Sequence, residues 1–116
     1  MITLYGLKNC DTCKGALKEI AAAGLEHCFV DIRAEADLMA LVPHWVKRAG
    51  VKTLLNTRST TWRGLSLQDQ RLADAEPAAL LIANPTLIKR PVIEAGGELH
   101  IGWMAAVRGA VLGLAA

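Results

Sequence analysis

The chain has 116 residues, of which 53% are hydrophobic, and its 13 basic and 11 acidic side chains give a formal net charge of +2. This length predicts one domain over residues 1–116, with room for a substantial core. The charge is nearly balanced and no dense basic run is present, which argues against direct nucleic-acid binding. No segment reaches the roughly 18 uncharged apolar residues of a membrane span, so no membrane interaction is predicted.

The cysteine content points to a reducing compartment. The chain has three cysteines, an odd number, and its N-terminus shows an apolar strand instead of the charged start of a secretory signal. We therefore expect the protein to be cytoplasmic.

The first predicted element is a strand, Ile2–Tyr5, and two cysteines three apart, Cys10 and Cys13, lie at the junction between this strand and the helix that follows. A helix is predicted from Asp11 to Ala23, with Asp11 or Thr12 as its cap and Gly24 as its stop. Unpaired N–H groups at a helix start favour a thiolate, which is the nucleophilic form of cysteine. Cys10 is therefore the predicted nucleophile, with Cys13 one turn further on and within reach of a disulfide.

A Cys-x-x-Cys pair has two other interpretations, half of a zinc site or two structural thiols, and both stay open. A zinc site needs two more ligands. The chain has no second Cys-x-x-Cys pair and no His-x-x-x-His pair, and the remaining candidates are scattered: His27, Cys28, His44 and His100. Redox chemistry is favoured and no resident metal is predicted.

The rest of the chain continues as strand, helices, hairpin and helix. A strand at Glu26–Ile32 completes a βαβ unit with parallel strands, and Cys28 on it is predicted to be a core thiol. In the middle of the chain, helices are predicted to begin at Pro43 and Pro77, and Thr57–Gly64 is predicted to be a polar loop. Further elements are a strand within Thr86–Glu94, a turn at Ala95–Glu98, a return strand at Leu99–Ile101 and a helix from Trp103 to Leu114.

This order, βαβ followed by helices and then ββα, is that of an α/β thioredoxin-like fold. It predicts a mixed four-stranded sheet with a helical insertion at about residues 35–85. Such folds host many activities, so the fold alone does not identify the function.

Three separate blocks of sequence resemble the ArsC/Spx family. They are Asn9-Cys10-x-Thr12, the run from Leu54 to Arg63, and Asn84-Pro85-x-Leu87-Ile88-Lys89-Arg90-Pro91-Val92. The family includes glutaredoxin-coupled arsenate reductases, the Spx regulators of RNA polymerase and the YffB-like proteins, which are proposed to be glutathione-dependent thiol reductases. The resemblance is strongest to the YffB-like branch.

The resemblance implies roles for particular residues. Cys10 matches the family's nucleophilic cysteine, Arg90 matches an arginine of the oxyanion site, and Pro91 matches a proline with a cis peptide bond beside the cysteine. Asn9 and Thr12 match the surroundings of the cysteine, and Lys14 stands where arsenate reductases often have an arginine.

Several positions depart from the pattern of the arsenate reductases. Asn56 and Gly102 stand where those enzymes have arginines, and Cys13 is a cysteine that they lack. Because an arsenate trianion needs several positioned cations, we expect arsenate reduction to be weak or absent. Arg58 lies two residues after Asn56 and belongs either to an anion-binding loop or to a solvated turn.

The predicted function is a thiol-disulfide oxidoreductase in which Cys10 attacks a mixed disulfide, and Cys13 or a second glutathione resolves the intermediate. Cys10 is expected to have a lower pKa than Cys13 and to be alkylated first. No tightly bound cofactor is expected; glutathione is the expected co-substrate, glutaredoxin is a further candidate partner, and the protein is expected to be a monomer. The alternative is an Spx-like redox switch that binds RNA polymerase, and arsenate reduction is the least favoured function.

Overall fold

The computed structural model describes residues 1–115. The chain divides into two compact units: the sheet unit, formed by Met1–Ala36 and the chain from Arg90 onwards, and the helical unit, Asp37–Lys89. Whether the two behave as one domain over residues 1–116 stays a prediction. Within the described residues, no helix combines the length and apolar character that crossing a bilayer requires.

The sheet unit contains four strands: β1 (Ile2–Gly6), β2 (His27–Asp31), β3 (Val92–Ala95) and β4 (Glu98–Ile101). They lie in the order β2-β1-β3-β4. Strand β1 is parallel to β2 and antiparallel to β3, and β3 is antiparallel to β4. The predicted mixed, thioredoxin-like sheet is confirmed.

The hairpin between β3 and β4 closes through two glycines. Gly96 and Gly97 have φ angles of 58° and 79°, and a two-residue turn with positive φ at both central positions matches the twist of the flanking strands. The predicted turn is therefore confirmed, with Ala95 and Glu98 as the paired strand ends.

Two helices cover one face of the sheet, α1 (Asp11–Ala22) and the last α-helix, Ala105–Leu112. Glu19 on α1 ties them together, because its carboxylate accepts a hydrogen bond from the Trp103 indole N–H and pairs with Arg108. The core between the helices and the sheet consists of Ile2, Leu4, Cys13, Ala16, Ile20, Ile93, Ala95 and Val111. Cys13 is thus a core residue as well as a member of the cysteine pair.

The helical unit is built from short helices: α2 (Leu38–Ala49), α3 (Val51–Leu54), α4 (Thr60–Gly64), α5 (Leu67–Gln70), α6 (Leu72–Ala75) and α7 (Pro77–Ala83). A 3₁₀ helix follows at Pro85–Leu87. Fully buried side chains of this unit include Trp45 on α2 and Leu81 on α7, and α2 packs against α7. The last α-helix of the chain is α8, and it runs into a 3₁₀ turn at Gly113–Ala115.

The predicted helix start at Pro43 is wrong. Helix α2 begins at Leu38, and Pro43 lies inside it. The Asp37 side chain accepts a hydrogen bond from the Ala40 N–H and caps the true start. Burial of Val42 and Trp45 on either side of Pro43 offsets the backbone hydrogen bond that proline cannot donate.

Two further local predictions are corrected, the loop at Thr57–Gly64 and the cap of α1. Ser59 accepts a hydrogen bond from the Trp62 N–H and starts α4, so the segment Thr57–Gly64 is not a loop throughout. The N-cap of α1 is Cys10, and Asp11 is the first helical residue. A thiol takes the cap position that a carboxylate or hydroxyl usually occupies.

Candidate functional site

Cys10 lies at the junction between the loop after β1 and the first turn of α1. Its backbone is extended, with φ of −94° and ψ of 117°, and its carbonyl accepts the Lys14 N–H at 3.0 Å. The thiol is half-buried, so it is reachable from solvent and partly shielded. This placement at the helix start confirms the strand-to-helix junction predicted for the cysteine pair.

The surroundings of Cys10 favour its thiolate. Burial raises the pKa of this thiol, but hydrogen bonds from the Cys13 backbone and thiol and from the Arg90 guanidinium, together with the positive charge of Arg90, lower it by more. The neutral thiol makes no capping hydrogen bond within the helix. The nearby donors therefore act mainly on the charged sulfur, which is the reactive species.

Cys13 has the opposite character. Its side chain is fully buried, and burial raises the pKa of the Cys13 thiol to about 12. The neighbouring Cys10 adds to this increase. All three cysteines are free thiols. The opposite directions of the two pKa shifts agree with the expected order, in which Cys10 has the lower pKa.

Gly6, the last residue of β1, lets the Cys13 thiol approach the strand. A Cβ atom at Gly6 would lie 2.5 Å from the Cys13 sulfur and 3.3 Å from its Cβ atom. Only a glycine leaves room for the sulfur at this contact. Sequence reasoning missed this residue, although a glycine within a predicted strand is a known sign of close backbone approach.

Arg90 and Pro91 enter the site from the segment before β3. The Arg90–Pro91 peptide bond is cis, as predicted. The Pro91 carbonyl accepts the Gly102 N–H at 2.8 Å, and Gly102 has a φ of 84° that disfavours other residues. The structure thus brings together the predicted residues Cys10, Cys13, Arg90 and Pro91.

Asn9, the residue before Cys10, lines a groove of about 440 Å³. The groove lies at the carboxyl ends of β1 and β2 and is lined by Leu7, Lys8, Asn9, Asp31, Arg33 and Ala34. Lys8 and Arg33 are the two cations that line the groove, next to the acidic side chain of Asp31. The Asp31 carboxylate accepts the N–H groups of Ala34 and Arg33, and these two bonds lower the pKa of Asp31.

Sequence reasoning found Asn9 but missed Lys8, Asp31 and Arg33. The signal was present, because the carboxyl ends of adjacent parallel strands meet at one edge and commonly form ligand sites there. Thr12 and Lys14 are exposed on the first turn of α1. Among the described residues, neither is one of the groups that shift the pKa of Cys10, so their predicted roles in substrate binding stay predictions.

The remaining candidates, Arg58 and Cys28, are far from Cys10 in the sequence. Arg58 belongs to the helical unit, where it is exposed in the turn that follows Asn56. Cys28 is half-buried on β2, and its sulfur lies 3.5 Å from the Thr3 hydroxyl. Within residues 1–115, no set of three histidine, cysteine, aspartate or glutamate side chains is arranged to hold a metal ion.

The contribution of Arg90 can be measured directly. Replacing Arg90 with glutamine is expected to raise the pKa of Cys10, since a hydrogen bond and a positive charge that favour the thiolate are lost. Near neutral pH the rate of Cys10 alkylation should fall about two- to tenfold, as expected for loss of one charge-assisted hydrogen bond at a partly exposed site. The measurement is the iodoacetamide rate against pH, followed by peptide mass spectrometry. Lys18→Gln, which removes an exposed positive charge from α1, is the control, and an equal effect in both variants would contradict the role of Arg90.

Comparison with known proteins places this geometry in a family. The model of the ArsC family matches residues 5–108. A protein of Haemophilus influenzae is 43% identical over 104 residues, covering 89% of this chain and 91% of that protein. The regulatory protein MgsR of Bacillus subtilis is 26% identical over 106 residues, covering 88% of this chain and 82% of its own length.

Solved structures agree with this assignment. A protein named YFFB superposes with a TM-score of 0.85 and 32% identity, covering 97% of this chain and 99% of that one. An arsenate reductase (ArsC) related protein from Brucella melitensis has a TM-score of 0.75 and 35% identity, with coverage of 94% and 92%. Since the family model spans nearly the whole chain and includes both cysteines and Arg90, the protein belongs to the ArsC family.

Proposed function

We propose that the protein is a thiol-disulfide oxidoreductase that uses Cys10 as its nucleophile and glutathione as its co-substrate. The observation that carries the proposal is the contrast between two neighbouring thiols. The pKa of Cys10 is lowered by donors from Cys13 and Arg90, whereas burial raises the pKa of Cys13. A single activated, accessible thiolate at a helix start is suited to attack on a disulfide. We further propose that it acts in the cytoplasm, where thiols are kept reduced.

The proposed reaction balances in two steps. In the first, the Cys10 thiolate attacks the glutathione sulfur of a mixed disulfide, so a Cys10–glutathione disulfide forms and the substrate leaves as a thiolate. In the second, a glutathione thiolate attacks that glutathione sulfur, so oxidised glutathione forms and the Cys10 thiolate is released. The sum is a thiol–disulfide exchange: the mixed disulfide and one free glutathione thiolate give the substrate thiolate and oxidised glutathione, and Cys10 is regenerated.

Cys13 is a poor resolving thiol in this arrangement. It is fully buried, and the largest cause of its raised pKa is burial, which persists when Cys10 is tied up in a mixed disulfide. Resolution needs a thiolate that can reach the Cys10 sulfur. A second glutathione therefore resolves the intermediate in our proposal, and Cys13 serves to donate hydrogen bonds to the Cys10 thiolate.

The groove beside Cys10 supports glutathione as the co-substrate. Glutathione carries two carboxylates and one ammonium group. Lys8 and Arg33 offer cations for carboxylates, and Asp31 offers a carboxylate for an ammonium group. Because the groove begins at Asn9, directly before Cys10, a peptide bound there would hold its sulfur near the nucleophile.

Multiple turnover is the direct test. The protein should reduce the mixed disulfide of glutathione and 2-mercaptoethanol with glutathione as the reductant, at a rate proportional to protein concentration. Failure to exceed the reaction of the two small molecules alone would contradict the proposal.

Neutralising the cations of the groove should weaken glutathione binding without changing the chemistry. For Lys8→Gln and for Arg33→Gln we expect the KM for glutathione to rise about two- to fivefold with kcat nearly unchanged, as for the loss of one exposed ion pair. Lys18→Gln is the matched control, because Lys18 is an exposed cation of the same unit outside the groove. Equal KM values in all three variants and the parent would show that the groove does not bind glutathione.

A redox-switched regulator is the second candidate, favoured by the similarity to the regulatory protein MgsR. In that role the Cys10–Cys13 pair would control docking on a partner, and the family resemblance points to RNA polymerase. A pull-down from cell extract, run with reduced and oxidised protein, separates the two functions. Retention of polymerase in equal amount with the protein favours the regulator, whereas retention of none together with disulfide turnover favours the enzyme.

Arsenate reduction is less favoured than either. Asn56 and Gly102 replace cations expected in arsenate reductases, and the backbone at Gly102 would be strained by an arginine. Similarity to an arsenate reductase related protein from Brucella melitensis does not restore those charges.

A further inference from the structure

The helical unit contains a second cationic site, which the proposed thiol chemistry does not use. A pocket of about 320 Å³ is lined by Lys52, Leu55, Asn56, Thr57, Arg58 and Lys89. We call it the cationic pocket. Its lining has three cationic side chains and no acidic one.

Backbone pairing holds the two sides of the cationic pocket together. Leu55 and Ile88 form an isolated antiparallel bridge. On either side of it, the Asn56 N–H donates to the Leu87 carbonyl at 2.8 Å and the Lys89 N–H donates to the Leu54 carbonyl at 2.6 Å. Main-chain hydrogen bonds therefore hold the segment that leads to Arg58 next to the segment that ends at Lys89.

The turn after Leu55 orients further donors. The Asn56 side-chain oxygen accepts the Arg58 N–H at 3.1 Å, and the Ser59 hydroxyl donates to the Asn56 carbonyl at 2.9 Å. Since the oxygen of the Asn56 amide is engaged in the turn, its NH₂ group is the part left to bind a ligand. The pocket thus presents two ammonium groups, a guanidinium, an amide NH₂ and the Thr57 hydroxyl.

We propose that the cationic pocket binds a phosphate-class oxyanion. Three like charges around one cavity repel one another, and an anion with two charges and several acceptor oxygens relieves that repulsion while accepting hydrogen bonds from all sides. A singly charged, planar carboxylate would satisfy fewer of these donors. The argument rests on Asp37–Lys89 alone, so it stands whether or not Cys10 performs thiol chemistry.

The test is a titration of the ¹⁵N-labelled protein with inorganic phosphate, at constant ionic strength maintained with chloride, observed by two-dimensional NMR. We expect saturable shifts centred on Asn56, Thr57 and Arg58. Arg58→Gln and Lys89→Gln should each weaken the apparent affinity at least about fivefold, as for the loss of a charge-assisted hydrogen bond. The matched controls are Arg63→Gln and Lys47→Gln, which remove exposed cations of the same unit outside the pocket.

A parallel titration with glycerol 3-phosphate establishes whether the phosphate group can be part of an organic ester. Saturable binding of either probe that depends on Arg58 and Lys89 supports the proposal. Shifts that grow linearly with phosphate, or that are spread equally over all exposed cations, overturn it. An equal loss in the control variants overturns it as well. If one variant does not fold, its spectrum shows this at once, and the other variant with the parent titration decides the result.

Discussion

Replacing Cys10 with serine is expected to reduce disulfide turnover to the level of the reaction without protein. A serine hydroxyl is not ionised near neutral pH, and no side chain placed as its general base lies among the described groups around Cys10, which are Cys13 and Arg90. The lowered pKa of Cys10 is what makes attack possible at neutral pH, and it disappears with the thiol. The measurement is glutathione-dependent reduction of the mixed disulfide with 2-mercaptoethanol, at equal concentrations of folded variant and parent.

Cys13→Ser is the matched control, since it makes the same replacement of sulfur by oxygen in the cysteine one turn further along α1. If glutathione resolves the intermediate, this variant should keep most of the activity at high glutathione, because the backbone N–H at this position remains and a serine hydroxyl can also donate to the Cys10 thiolate. If Cys13 resolves the intermediate, a Cys10–glutathione disulfide should accumulate and be visible by mass spectrometry.

Two results would contradict the assignment of Cys10. One is retained turnover in Cys10→Ser. The other is iodoacetamide label that falls mainly on Cys13 of the parent protein while Cys10 stays unmodified, because burial and the raised pKa of Cys13 predict the reverse order.

The elements of the sheet unit were predictable because their signals are local. The apolar run at Ile2, the paired glycines Gly96–Gly97 and the helical spacing after Cys13 each specify a strand, a turn or a helix from adjacent residues. The cis bond at Pro91 came from the resemblance to the ArsC/Spx family. That resemblance also supplied the pairing of Arg90 with Cys10, which lie 80 residues apart in the sequence.

The helical unit was harder, since its boundaries depend on side-chain caps and burial. Pro43 is a common first residue of a helix, but here Asp37 caps the start and Trp45 anchors the helix past the proline. The cationic pocket could not be predicted from the sequence, because it too depends on tertiary contacts. Lys52 and Lys89 line the same pocket because Leu55 and Ile88 form a main-chain bridge between their segments. No periodicity in the sequence predicts this bridge.

The contact between Gly6 and Cys13 couples the reactive loop to the core. The Cys13 sulfur is fully buried and fills the space that any Cβ atom at Gly6 would need. Because Cys13 also donates to the Cys10 thiolate, the packing at Gly6 fixes the position of a group that tunes the nucleophile. A change at Gly6 should therefore affect both the stability of the protein and the reactivity of Cys10.

Gly6→Ala is expected to lower the free energy of unfolding by about 1–3 kcal/mol, the usual cost of forcing an extra methyl group into a packed core. Urea denaturation measures this change. In a Cys13→Ala background the same substitution should cost less, because the sulfur 2.5 Å away is gone, although the Cβ contact at 3.3 Å leaves part of the cost. Gly15→Ala is the control: it lies in α1 with no atom within 4 Å of the added Cβ, so it should stabilise the helix by about 0.5–1 kcal/mol. Equal costs of Gly6→Ala with and without the Cys13 sulfur would show that the close contact does not determine the packing, and that Cys13 is held in place by α1 alone.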